Sequence, residues 1–144
     1  MVFERKYYFE DIGIRNAVLE FRQIEPTHAM ENVIYNELRR NGFSVDVGMV
    51  ESFKRNNDGH LQRRNLEIDF VVNRHDERLY IQSAYALPSE AKAHQEQESL
   101  LQVDDGFRKI IVAADRYHSG YNENGILMVG LYDFLMGKID LWKR

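Results

Sequence analysis

The sequence predicts an α/β (α+β) domain with a central mixed sheet flanked by helices. Three observations predict it. The chain has 144 residues, 44% of them apolar and 29% charged, which suits one ordered domain. Stretches with helical spacing of apolar residues alternate with stretches of strand spacing. A helix stands between the third and fourth strands, and such a helix carries a chain over to a parallel neighbour. No repeat, low-complexity tract or linker interrupts the order. Residues 1–144 therefore read as a single domain, with an N-terminal arm and short helix over 1–24 and a core over 25–144.

The elements follow in order. In "FEDIGIRNAVLEF", Asp11 is a plausible N-cap, and Ile14, Val18 and Phe21 recur at helical spacing. The next helix is expected over 27–40, capped by Thr27 and closed by Asn41-Gly42. Phe43, Val45, Val47 and Met49 alternate as a strand does. "FKRNNDGHLQRRN" reads as a polar hairpin loop, followed by strands over 66–72 and 79–85 joined by "NRHDER". Pro88 and Ser89 open a helix on which Ala91, Gln95, Glu98 and Leu101 space helically. "FRKIIVAAD" is a short apolar run, as in a buried strand, and "GILMVGLYDFLMG" yields a last strand and a short helix.

Several chemistries drop out. There is no cysteine, so thiolate zinc sites and thiol catalysis are excluded, and a reducing compartment fits. No apolar run approaches the ~20 residues of a membrane span. "MVFERKYYFE" lacks the apolar core of a signal peptide, so a cytoplasmic protein with no membrane partner is expected. A net charge of −4 argues against a surface coated in basic patches, although local clusters still bind phosphates. No P-loop and no G-x-S-x-G elbow occurs.

Three acids and one amide stand out. With Glu31 at 0° on its helix, Leu38 falls near about −20°, Ile34 near about −60° and Tyr35 near about +40°. Glu31 thus lies inside the apolar arc, while Asn32, Asn36, Arg39 and Arg40 fall opposite. A carboxylate there is costly unless it is paired, hydrogen-bonded or bound to a metal; the plainer reading is an acid favoured by the helix dipole. In the strands, Leu66, Ile68, Phe70 and Val72 are expected on one face, and Glu67, Asp69 and Val71 on the other. A hairpin turning at His75-Asp76 sets Asp69 opposite Gln82 and Glu67 opposite Ala84, about 5 Å apart. The oxygens of Glu31, Glu67, Asp69 and Gln82 then suit a hard divalent cation such as Mg²⁺ or Mn²⁺. An exposed sheet face with ordinary acids has equal claim on the spacing.

At these residues the sequence resembles the restriction-endonuclease-like, or PD-(D/E)xK, superfamily. More narrowly it is similar to the domain of unknown function that follows the ATPase in a family of prokaryotic AAA-type proteins. The pieces are "KYYFEDIGIRNAV", "MENVIYNELRRNGFSVDVG", "EIDFVV", "YIQSAY" and "KIIVAAD", in family order over most of the chain. The family opening, (K/R)-(Y/F)-(Y/F)-x-x-D-x-G, matches Lys6, Tyr7, Tyr8, Asp11 and Gly13. The resemblance implies an α-β-β-β-α-β core. It also implies a metal-dependent phosphodiesterase centre in which Glu31, Asp69 and Gln82 take the catalytic places. The lysine of that centre should stand two residues after Gln82, where this chain has Ala84. Either the site is degenerate and the fold serves for binding, or a lysine from elsewhere supplies the charge. Lys92 is the nearest in sequence. Degeneracy is the favoured expectation, since no local residue restores the pattern. The implied partner is an AAA-type ATPase, in cis or in trans, or another protein.

Three further features weigh less. Lys54, Arg55, Arg63 and Arg64 gather in one loop and can grip a nucleic-acid backbone, although a solvated hairpin tip is the plainer reading. His94 and Glu98 sit four apart on one helix, a metal-binding spacing with no third ligand near it. Tyr7, Tyr8 and Phe9 either anchor a preceding ATPase or pack the arm on the core.

Overall fold

A computed structural model of the chain describes residues 5–22, 25–115 and 118–143. The ends of the expected arm, residues 1–4 and 23–24, fall outside the described residues. The elements are α1 (Ile12–Val18), α2 (Pro26–Arg40), β1 (Ser44–Arg55), β2 (Leu61–Arg74), β3 (Glu77–Ala84), α3 (Glu90–Leu101), β4 (Arg108–Ala113), β5 (Gly120–Tyr121), β6 (Leu127–Gly130) and α4 (Leu131–Leu135). The six strands form one mixed sheet in the order β1-β2-β3-β4-β6-β5. β1, β2 and β3 meander antiparallel, α3 carries the chain to β4 parallel to β3, and β6 continues parallel. The expected mixed sheet with flanking helices is observed; the two-residue β5, paired antiparallel to β6, was not foreseen.

Two apolar layers hold the helices to the sheet. On one face Met30, Ile34 and Leu38 of α2 and Phe134 of α4 pack on Phe70, Val72, Leu79, Ile81, Ile110 and Val112. On the other, Leu100 of α3 packs on Ile68, Tyr80, Ala84, Ile111 and Ala113. The alternation along β3 and β4 distributes these residues to the two faces, as period-two spacing requires. No described helix is long and apolar enough to cross a membrane.

Local chemistry sets the boundaries. Asp11 caps α1 as expected, its carboxylate accepting from the Gly13 and Ile14 amides at 2.6 and 3.0 Å. Helix α2 starts one residue before the expected cap, because Pro26 occupies the first turn. Thr27 is therefore inside the helix, and Glu25 stands at the N-cap without a side-chain bond. Gly42, with φ +80°, ends α2 as the sequence suggested. Ser89 caps α3, accepting from the Lys92 amide at 3.2 Å.

The β1–β2 hairpin differs most from expectation. Its strands run through the stretch read as a loop, pairing as far as Arg55↔Leu61 and leaving only 56–60 for the turn. Both faces of this distal ribbon meet solvent, so no apolar alternation marks it in the sequence. Nearer the core the register shifts once: Asp46 opposes Val71 and Gly48 opposes Ile68. Asp69 and Phe70 together oppose Val47, which is a β-bulge. The bulge corrects the expected face assignment. Phe70 and Val72 face α2, whereas Ile68 and Val71 face α3. Gly48 makes this possible, since a Cβ there would lie 2.8 Å from Val71 Cγ2 and 3.1 Å from Ile68 Cβ. Gly48→Ala is expected to cost about 1–2 kcal/mol of stability through this overlap. Urea denaturation measures it, and an unchanged midpoint would show that the bulge yields freely.

Candidate functional site

The hairpin register predicted from the sequence is observed from Arg74↔Glu77, around the His75-Asp76 turn, up to Phe70↔Ile81. Past that pair the strands are joined by side chains instead of a ladder. Ser83 N donates to Asp69 Oδ2 at 2.9 Å, and Asp69 N donates to Gln82 Oε1 at 3.3 Å. Asp69 is buried, with 8% of its side chain exposed. The parted strands open a cleft of about 520 Å³ whose lining includes Glu31, Asp69, Gln82, Ser83 and Lys92.

The bulge turns Glu67 and Asp69 toward α2, where Glu31 points down from the helix. The residue on which they converge is Lys6, from the N-terminal arm. Its Nζ lies 3.2 Å from Glu31 Oε2 and 3.1 Å from Asp69 Oδ1, and it also contacts Glu67 Oε1. Burial alone would lower the Lys6 pKa, but Asp69, Glu67 and Glu31 reverse that and raise it above the ordinary amine range. The Glu31 carboxyl is raised as well, by burial first and then by Asp69, because one ammonium leaves three carboxylates in mutual repulsion.

Amide side chains hold the arm that delivers Lys6. Asn32 accepts from Phe9 N at 2.9 Å and donates to Phe9 O at 2.6 Å; Asn36 donates to Phe9 O at 2.9 Å and to Glu10 O at 3.0 Å. Asn32, expected on the side of α2 away from the core, is 2% exposed because the arm covers that side. Tyr8 stacks on Tyr35 with ring centroids 4.2 Å apart, and its buried hydroxyl has no hydrogen-bond partner among the described residues. Burial raises its pKa, and the same acids add to the shift against the opposing effect of Lys6.

The other sequence candidates separate. Glu31, Glu67 and Asp69 are brought together. Gln82 is not part of their group: its oxygen also accepts from Ser99 Oγ of α3 at 3.4 Å, on the other face of the sheet. Ala84 likewise belongs to the α3-side cluster, so Glu67 does not face it as the unbulged register implied. Lys92 lines the cleft, but its ammonium pairs with Glu96 one turn on. Glu98 pairs with Arg64 at 3.4 Å instead of joining His94. Lys54 and Arg55 stand near the ribbon tip with Arg64 behind them at its base, while Arg63 pairs with Glu51. Lys6 was read in the sequence only as part of a motif. The signal for it was a lysine in the family opening of a chain that lacks one at Ala84. As arranged, the acids converge on an ammonium, and no group of three His, Asp or Glu side chains among the described residues is set to hold a metal ion.

No family model matches the chain, and no solved structure matches it. A protein of Haemophilus influenzae (strain Rd), described only as an uncharacterized protein, is 30% identical over 131 residues. The match covers 91% of this chain and 28% of that protein, so the chain spans less than a third of its relative's length.

Proposed function

We propose that the chain is a degenerate nuclease-fold module, non-catalytic and cytoplasmic, that works with an AAA-type ATPase in cis or in trans and contacts nucleic acid or protein. The observation that carries this reading is Lys6 among Glu31, Glu67 and Asp69. The ammonium takes the point where a divalent cation would need these oxygens. Gln82 supports the reading, since its side-chain oxygen is engaged by Asp69 N and Ser99 Oγ. The match to a short share of a longer relative supports a module that serves within a larger protein.

A second reading is a divalent-metal-dependent phosphodiesterase with a rearranged centre. It is favoured by one fact: a lysine does reach the acids although Ala84 occupies the usual position. It requires Mg²⁺ or Mn²⁺ to displace Lys6 from the carboxylates. Incubation with single-stranded, duplex and branched DNA in Mg²⁺ or Mn²⁺ separates the two. The first reading expects intact substrate. Cleavage that disappears in Asp69→Ala overturns it in favour of the second.

A further inference from the structure

We propose that the distal β1–β2 ribbon is a duplex-DNA-binding arm that enters the major groove tip first. The inference deepens the nucleic-acid side of the function proposed above and rests on it. Residues 53–63 are all exposed, so the ribbon projects from the described protein beyond its base, where α3 flanks one face through the Arg64–Glu98 pair. From Ser52 to the turn the ribbon runs three residues, about 10 Å at 3.3 Å per residue. The major groove is about 8.5 Å deep and about 12 Å wide, and it admits a two-stranded ribbon.

Charge is placed to match. Over 53–64 four cations stand against one acid, Asp58, in a chain whose net charge is −4. Cross-strand pairs share a face, so Phe53↔Arg63 and Arg55↔Leu61 put Arg55 and Arg63 on one side. The pairs Lys54↔Gln62 and Ser52↔Arg64 put Lys54 and Arg64 on the other. Cations on both faces of a thin ribbon suit an element flanked by two phosphate backbones. A sheet laid along one strand would need them on one face only. Among the described residues Lys54 and Arg55 form no ion pair, and Arg63 and Arg64 are each steadied by one acid, Glu51 and Glu98. The tip holds Asn57 beside Gln62, amides of the kind that pair with base edges. The turn is fixed by Asn56, whose carboxamide oxygen accepts from His60 N at 2.8 Å, and by Gly59 at φ +79°.

Fluorescence anisotropy of a labelled duplex of about two helical turns, and of its isolated strand, tests this in EDTA. The expected result is tighter binding of the duplex. Affinity should fall steeply with salt, with a log–log slope of about −3.6 for four neutralised phosphates. Lys54→Glu/Arg55→Glu should bind at least ten-fold more weakly with an unchanged unfolding midpoint, since both side chains are exposed. Equal affinity of this variant, preference for the single strand, or no duplex binding overturns the proposal. EDTA keeps the outcome independent of cleavage, so absence of nuclease activity leaves the arm standing. Loss of the arm likewise leaves the acid cluster to its own test.

Discussion

Lys6→Met should lower the unfolding free energy by about 2 kcal/mol, below the range for breaking a fully buried ion pair, because the Lys6 side chain is 23% exposed and water screens the cluster. Methionine keeps most of the aliphatic stem and deletes the charge. Three carboxylates then face one another, Asp69 at 8% side-chain exposure. The pH dependence has a definite sign. Glu31 already binds its proton more readily in the folded state, because burial and Asp69 raise its pKa above the ordinary 4.5. Between 4.5 and that raised value the folded protein holds more protons than the unfolded chain, so stability falls as pH rises. Lys6 is among the groups opposing that shift, so Lys6→Met steepens the fall. Mn²⁺ at millimolar concentration should raise the melting temperature of Lys6→Met more than that of the wild type, because a cation that binds only the folded state stabilises it by mass action. Urea titrations at several pH values and a thermal melt with and without Mn²⁺ measure both effects. A midpoint unchanged by the substitution would mean that the ion cluster contributes nothing. An equal Mn²⁺ response would mean that Lys6 does not stand in the way of a metal.

What could be read in the sequence depended on range. The order of elements, the parallel step across α3, the His75-Asp76 turn and the Asn41-Gly42 helix end are local patterns, and the structure has each of them. The convergence of Glu31, Glu67 and Asp69 was only partly legible: helix phase put Glu31 on the sheet side of α2 and strand parity put the two strand acids together, but parity set them on the α3 face, and the bulge turned them to Glu31. The bulge was not legible: an extra residue in one strand leaves the apolar letters of β2 unchanged while moving Phe70 to the other layer. The distal ribbon was hidden for the opposite reason, as a strand with two wet faces has no hydrophobic period. Lys6 was hidden by distance. It lies 25 residues from Glu31 and 63 from Asp69, and only the path of the arm brings them together. The arm explains Asn32 too, because a polar side chain opposite the core looks solvated until another segment is laid over it. Of the expected stripe Ile14, Val18 and Phe21, the first two lie in α1, but the helix stops at Val18 and Phe21 turns away at φ +52°; all three are exposed, so no buried face extends the helix.

Asn32→Ala is expected to cost about 2–3 kcal/mol, and its effect should reach the acids through the arm. The Asn32 carboxamide mimics a strand partner, accepting from the Phe9 amide and donating to its carbonyl. Without it the Phe9 N–H loses its partner in a half-buried position. The carbonyl keeps one donor, Asn36 Nδ2 at 2.9 Å. For that reason Asn36→Ala should cost less: Asn32 still holds both groups of Phe9, and the bond lost to Glu10 is exposed. Lys6 stands three residues before Phe9, so loosening the arm also frees its ammonium from Glu31, Glu67 and Asp69. Hydrogen exchange reads this directly. In Asn32→Ala the Phe9 amide should lose protection ahead of the α2 amides, and Mn²⁺ should gain the stabilising effect expected for Lys6→Met. If the Phe9 amide keeps its protection while the midpoint drops, the substitution has only opened a cavity, and the arm is held by Tyr8 on Tyr35 and Phe70 instead. If neither changes, the two asparagine bonds do not position the lysine, and the ion cluster forms by its own attraction.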